Sequence, residues 1–269
     1  MSESLPATER FSDRVSDYIR SRPPYPADVV KRLRSAGVLA PGMRVADVGA
    51  GTGISSRLFL EAGCEVTAVE PNAAMRAAAE AELAARYAGF RAVDGTGEAT
   101  GLAAASVELV SVAQALHWMD IERCRREFRR ILRPGGALAV VYNSREHEAS
   151  GFMRGYEALV RRFSVDYERV RHENLTAEVF ARLFATHDYA SARFPNPQRA
   201  DWAACLARAH SSSYLPAESS PDYPAMTAAL RALFDAHARA GAVTFHYVTE
   251  LYWARVAQPC GRKPGKLFP

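Results

Sequence analysis

The segment Val45-Ala46-Asp47-Val48-Gly49-Ala50-Gly51-Thr52-Gly53 limits what this chain can fold into more than any other. An apolar run holding one acid passes straight into a loop with glycine at every second position. A helix-forming segment, Ile54 to Ala62, follows at once. Glycine has no Cβ and tolerates φ > 0, so such a loop lets the backbone pass close under a ligand. The helix N-terminus behind it offers free N–H groups. Strand, glycine loop and helix in that order predict an α/β fold with a nucleotide-like cofactor on the loop.

The spacing narrows the cofactor. A dinucleotide site takes G-x-G-x-x-G, yet the third position is Ile54 counted from Gly49 and Ser56 counted from Gly51. A P-loop needs a Lys after its glycines, and none follows here. The pattern is G-x-G-x-G, led by Asp47. An acid beside the loop repels a pyrophosphate and suits a ligand carrying an ammonium or sulfonium group.

The second strand, Glu65 to Val69, ends at Glu70, 21 residues after Gly49. An acid at that distance is placed to accept both ribose hydroxyls. A third strand, Phe90 to Asp94, leads into Gly95-Thr96-Gly97-Glu98, a turn placed to pass beside an adenine. A fourth, Val107 to Ala113, is followed by Gln114 and His117-Trp118-Met119. A charged helix from Ile121 to Leu132 ends in Arg133-Pro134-Gly135-Gly136, and a strand runs Ala137 to Tyr142.

In order over roughly residues 40–142, VADVGAGTG, TAVEPNAAM, GTGEATGL, VELVSVAQALHW and RILRPGGALAVV resemble the class I S-adenosylmethionine-dependent methyltransferase superfamily. AQALHWMD and the N-terminal Tyr18…Arg22-Pro23-Pro24-Tyr25-Pro26 are similar to a small-molecule branch that includes trans-aconitate methyltransferase-like proteins. Thr96 and Glu108 stand where members of the superfamily often carry Asp. The resemblance implies a doubly wound, mostly parallel seven-stranded sheet with an antiparallel last strand, N-terminal helices and an inserted helical cap. It implies S-adenosylmethionine as cofactor, S-adenosylhomocysteine as product and no metal. The cofactor contacts it implies are Asp47, Gly49, Ala50, Gly51, Gly53, Glu70, Pro71, Thr96, Gly97, Glu98 and Gln114. An N-terminal segment closing over the site would bring Tyr18, Arg22 and Tyr25 to the acceptor, with His117, Trp118 and His246.

The expected organisation is a helical lid over 1–39, a cofactor core over 40–145, and a region over 146–269 that completes the sheet. A helical cap is expected over about 196–241, with Trp202, Tyr214 and Tyr223 facing the methyl-donor end. Helical patterns fall at Phe11 to Ser21, Ala27 to Ser35, Phe152 to Phe163, Ala177 to Thr186, Trp202 to Ala209 and Ala225 to Ala240. A broken strand spans Tyr189 to Phe194, and a β-rich stretch runs from Val243 to Val256. The region from Gly151 to Val256 holds 16 of the chain's 26 aromatic residues, as suits a pocket for an apolar or planar substrate.

Composition excludes several classes. The net charge of +4 is small, and the basic run Arg123 to Arg130 reads as a solvated helix face. Cys64, Cys124, Cys205 and Cys260 lie far apart, so no zinc or redox motif is present, which fits a reducing cytoplasm. No run approaches the ~18 apolar residues of a membrane span. No oligomer is indicated.

Methyl transfer from a sulfonium is an in-line displacement that needs alignment and exclusion of water. A base is needed only for an acceptor that is not already nucleophilic. His117, after the fourth strand, is the candidate base; the alternative is that His117 and Trp118 wall the cofactor pocket. His246 and Tyr247 are weaker candidates, and Arg22 can clamp a carboxylate acceptor. The expectation is a cytoplasmic enzyme of secondary metabolism acting on a small organic molecule, with no nucleic-acid or membrane partner. Two alternatives stand beside it. A nucleic-acid methyltransferase of the amino-group class would carry an N/D-P-P-Y pattern where this chain has Gln114-Ala115-Leu116-His117. A catalytically silent cofactor-binding regulator would keep the loop and lose the chemistry.

Overall fold

The computed structural model describes residues 22–164, 167, 176–212 and 214–256. The helix expected over 11–21, with Tyr18, and Cys260 lie outside the described residues. The chain runs α1 (Asp28–Ser35), β1 (Arg44–Val48), α2 (Ile54–Glu61), β2 (Glu65–Val69), α3 (Ala73–Leu83), β3 (Phe90–Val93), β4 (Val107–Ala113) and α4 (Ile121–Ile131). It continues through β5 (Leu132–Arg145), α5 (Gly151–Phe163), α6 (Ala177–Phe184), β6 (Ala190–Pro195), β7 (Gln198–Ala200), α7 (Trp202–His210), α8 (Tyr223–His237), β8 (Val243–Phe245) and β9 (Tyr247–Arg255).

Seven strands form the main sheet in the order β3-β2-β1-β4-β5-β9-β6. β1 to β5 are parallel, and β9 lies antiparallel between β5 and β6. The expected architecture is therefore present. The central strands are apolar because helices cover both faces: Val45, Ala46 and Val48 of β1 and Ala137 to Tyr142 of β5 are all buried. One face packs Leu33 of α1, Phe59 of α2 and Leu83 of α3; the other packs Phe128 of α4 and Phe180 of α6. The order reverses between β1 and β4, and ligands of open α/β sheets bind at the carboxyl ends of strands at such a point.

The charged helix α4 buries Cys124, Phe128 and Ile131 and exposes Arg123 and Arg126. Arg125 and Arg182 pair with Glu122 at 3.0 and 3.2 Å. The basic run is thus largely a solvated, ion-paired face. β5 starts earlier than Ala137 because Val107 pairs with Leu132 and Leu109 with Ala137, which leaves Arg133 to Gly136 as a bulge.

A third core lies outside the sheet. Phe152, Tyr156 and Val160 of α5 pack with Cys205 of α7, Leu230 and Phe234 of α8, and Phe245 of β8. α7 and α8 fall in the span expected to be a cap, but β7 lies there too, and α5 from earlier in the chain shares their core. The stretch from Val243 is not one strand. Val243–Phe245 pairs with β7 in a separate two-stranded sheet, while β9 joins the main sheet. The chain changes sheets at His246. No helix among the described residues is long and apolar enough to cross a membrane.

Candidate functional site

The glycine loop turns at the carboxyl end of β1. Gly49 has φ of 69°, and a Cβ there would lie 2.5 Å from the Ala115 Cβ. Only glycine lets the loop and the segment after β4 approach so closely. Gly53 has φ of 83°, and its Cβ would meet Leu83 Cδ1 at 2.5 Å. This glycine seats α2 against α3 and lines neither of the two cavities described below. The structure gives it a packing role.

Asp47 likewise has a structural role. It is fully buried below the loop, and one carboxylate oxygen accepts the Ser55 and Ser56 hydroxyls at 2.6 Å each. The acid therefore anchors the start of α2 and does not face a ligand in either cavity. Burial pushes it up to about 6, against the pull of the two serine hydroxyls.

Glu70 ends the run after β2 and is buried. Its Oε2 accepts the Gly51 N–H at 2.8 Å and its Oε1 the Asn72 N–H at 2.9 Å. Burial raises its pKa, and these two N–H groups oppose the rise. A carboxylate has about four acceptor positions, so two remain for ligand hydroxyls. Asn72 caps α3 by accepting the Met75 N–H at 3.0 Å, which fixes the turn after Glu70.

The turn over 95–102 is held from behind. Glu127 of α4 accepts the Thr100 N–H at 2.9 Å and the Thr100 hydroxyl at 2.5 Å. Arg130, bonded to Glu127 at 2.7 Å, holds that carboxyl down to about 2. Glu98 accepts the Asp120 N–H at 2.8 Å, so both ends of the turn are tied to α4.

Between these parts lies a cavity of about 170 Å³. Gly49, Gly51, Glu70, Pro71, Thr96, Gly97, Glu98, Gln114 and Trp118 line it, as do Asn72, Met75 and Met119, which sequence reasoning missed. A smaller cavity of about 30 Å³ shares Gly49, Ala113 and Gln114 with the first and adds Ala50, Arg22, Tyr25 and Asn143. Gln114 stands at φ of 55°, a left-handed conformation rare outside glycine.

Three acceptor-side expectations are redrawn. Trp118 lies on the larger cavity with Glu70, apart from Arg22 and Tyr25. His117 lines neither cavity: its ring packs on Trp118 at 4.9 Å between centroids, and Nδ1 lies 3.4 Å from the Tyr142 hydroxyl. His246 also lines neither; its backbone N–H points to Met153 Sδ at 3.4 Å, at the break between β8 and β9. Arg22 reaches across to the Ser211 carbonyl at 2.9 Å.

Sequence reasoning also missed Arg145 at the end of β5. It donates to the Tyr214 and Tyr167 hydroxyls at 2.9 and 2.7 Å and pairs with Glu157 of α5 at 3.4 Å. Burial works to raise Glu157, but His147, Arg145 and Tyr167 outweigh it and hold it down to about 2. A lone Arg after an apolar strand gives no signal of partners that lie 12 to 69 residues away.

A carboxylate with open acceptor positions, a close glycine approach and a thioether-lined wall fit an adenosyl group with a sulfur-bearing tail. The family model described as "Methyltransferase domain" matches residues 46–140. An uncharacterized methyltransferase of Mycobacterium tuberculosis is 36% identical over 173 residues, 64% of this chain and 66% of its own length. Residues 46–140 match a methyltransferase domain, and the site and these similarities together support a class I S-adenosylmethionine-dependent methyltransferase. The aligned part spans just under two thirds of that relative. A malonyl-[acyl-carrier protein] O-methyltransferase of Enterobacter lignolyticus is 37% identical over 127 residues, 45% of this chain and 49% of its own length. The fold also matches the phosphoethanolamine N-methyltransferase 2 of Haemonchus contortus, solved with phosphomonomethylethanolamine and S-adenosylhomocysteine. That match has a TM-score of 0.55, 14% identity, and covers 96% of this chain and 62% of the other. The larger cavity sits where the strand order reverses, at the carboxyl ends of β1, β2 and β4.

Proposed function

We propose that the protein transfers the methyl group of S-adenosylmethionine to a small organic acceptor, leaving S-adenosylhomocysteine. The observation that carries this reading is the buried Glu70 carboxylate facing the larger cavity, with room to accept two ribose hydroxyls. Gly49 to Gly51, Asn72 and the 96–98 turn would hold the cofactor, with Trp118 and Met119 as its apolar wall. When bound, the cofactor supplies an electrophilic methyl group on sulfur. The chain's own residues align the acceptor and exclude water.

The acceptor side of this reading is the smaller cavity. Among the described residues that line it there is no His, Asp or Glu. An acceptor that is nucleophilic without losing a proton there fits best, and a carboxylate steered by Arg22 is such a group. The similarity to a malonyl-[acyl-carrier protein] O-methyltransferase supports an oxygen acceptor. The exposed face of α4 forms ion pairs with its own neighbours, which favours a small molecule over nucleic acid.

The test is to incubate the protein with methyl-labelled S-adenosylmethionine and a panel of small carboxylic acids beside their amides, and to read products by mass. Labelled esters are expected. Labelled amides would move the acceptor atom to nitrogen. Retention on nucleic acid at ~150 mM salt with methylation of a base would replace the small-molecule reading.

A further inference from the structure

One buried asparagine gathers three parts of the molecule. Asn143 lies near the end of β5, opposite Thr249 of β9. Its side-chain N–H₂ donates to the Pro23 and Pro24 carbonyls at 3.2 and 3.4 Å. Its side-chain oxygen accepts from Asn196 at 3.1 Å and from the Thr249 hydroxyl at 2.5 Å. Asn196, just past β6, gives the Pro24 carbonyl a second donor at 2.8 Å. Three neighbouring strands thus converge on two carbonyls of a proline segment. Prolines cannot join a ladder through N–H, so their carbonyls are the handles left to grip.

The backbone of the same residue faces the cofactor side. The Asn143 N–H donates to Gln114 Oε1 at 3.2 Å, and Gln114 Nε2 returns a bond to the Asn143 carbonyl at 3.4 Å. Gln114 lines both cavities and sits in its left-handed conformation between them. Arg22, Pro23 and Tyr25 cover the smaller cavity from above.

We propose that Asn143 is a positioning residue that couples the strap over residues 22–25 to Gln114 on the wall between the two cavities. Through it, a filled cofactor cavity and a seated strap stabilise each other. The coupling is reciprocal by linkage: whatever ligand tightens Gln114 tightens the strap, and loosening the strap weakens that ligand by the same factor. This inference rests on the proposed cofactor only for the choice of probe.

Asn143→Asp separates the two halves of the device. A carboxylate keeps the bonds from Asn196 and Thr249 but has nothing to donate to Pro23 and Pro24. The backbone bonds to Gln114 are untouched by the substitution. In the full-length chain without ligand, amide hydrogen exchange in the peptide spanning Tyr25 to Val30 is expected to be at least tenfold faster in the variant. Calorimetry with S-adenosylhomocysteine is expected to show at least fivefold weaker binding. The same compound should slow exchange in that peptide in the wild type and not in the variant. Equal exchange in the two ligand-free proteins would overturn the strap contact. Equal affinity, with protection retained in the variant, would overturn the coupling. If the wild type binds no S-adenosylhomocysteine, the cofactor reading fails, and the ligand-free exchange still decides the strap contact. Should Asn143→Asp not fold, Asn196→Ala removes the second donor to Pro24 and is expected to give the same changes at lower amplitude; no change in that variant would overturn the proposal.

Discussion

The molecule is organised by backbone in one region and by side chains in the other. From β1 to β5, the cavity is shaped by glycines, strand ends and N–H groups, with the acids Glu70 and Glu98 on its wall. From α5 to β8, the chain builds a separate core of aromatic rings around the buried Arg145–Glu157 pair. The first arrangement depends on short-range spacing and can be shared by many chains that use one cofactor. The second depends on pairs brought together from far apart in sequence, and it can change without disturbing the first. The cavity-bearing sheet region and the aromatic core are then physically distinct parts of one fold.

The sharpest way to break this division is at Arg145. Removing Arg145 takes away one of three cations around the buried Glu157, whose pairing with Arg161 and His147 remains, and it leaves the Tyr214 and Tyr167 hydroxyls without their donor, at a cost of about 1–3 kcal/mol. Arg145→Met should lower the stability of the α5–α8 region by that order in a denaturant titration. Binding of S-adenosylhomocysteine should persist below the transition. If binding and structure vanish together in a single step from the outset, the two regions are one cooperative unit.

Acidity sharpens the contrast, because Asp47 and Glu157 shift in opposite directions. Asp47 holds its proton to about 6 when folded and releases it near 3.8 when unfolded. The folded state therefore binds the extra proton over that window, and stability falls as pH rises through it, by on the order of 3 kcal/mol. Glu157 is held down to about 2, so its contribution is full above its unfolded value and is lost as pH falls below about 4.5. Stability measured against pH should lose the first slope in Asp47→Asn and become shallower on the acid limb in Glu157→Gln, where Glu127 still contributes. A Glu157→Gln protein with the wild-type acid limb would remove that pair from the account.

Within the cofactor region, Glu70→Ala should weaken S-adenosylhomocysteine roughly tenfold or more, since a charged hydrogen bond is worth about 1.5–3 kcal/mol. Calorimetry beside a melting curve separates lost affinity from lost fold. An unchanged dissociation constant would take Glu70 out of the site.

The same division explains what could be read in advance. The loop from Gly49, the acid at Glu70 and the 95–98 turn follow from local spacing, and the strand order follows from the resemblance they carry. Gly53 and Asp47 belong to the same motif, yet they serve packing: Gly53 meets Leu83, and Asp47 meets Ser55 and Ser56. A motif reports that a residue type is required, without saying whether a ligand or the protein requires it. Asn143, Asn196 and Thr249 carry no local pattern. They become a unit only because β5, β9 and β6 lie side by side, with 53 and 106 residues separating Asn143 from its partners. Arg145 and its tyrosines were hidden for the same reason.

The smallest expected effect falls on the residue that sequence reasoning favoured most. His117 follows β4 at the end of the sheet where ligands bind, a position that suits a catalytic group. The structure turns that position to another use: the ring packs on Trp118, and Nδ1 lies 3.4 Å from the buried Tyr142 hydroxyl. A general base must come within hydrogen-bond reach of the proton it takes, and losing one costs about 10²–10⁴-fold in rate. A wall residue behind Trp118 costs far less. His117→Asn should therefore change the rate of methyl transfer by less than about threefold, a difference worth under 1 kcal/mol. The pH profile of kcat should keep its shape, because no titrating group has been removed from the reacting atoms. A hundredfold loss, with a pH limb near neutrality that disappears in the variant, would put the histidine back in the chemistry. It would also mean that the cofactor region contributes a catalytic side chain beyond those lining its cavities, and the division between a backbone-organised and a side-chain-organised region would no longer hold there.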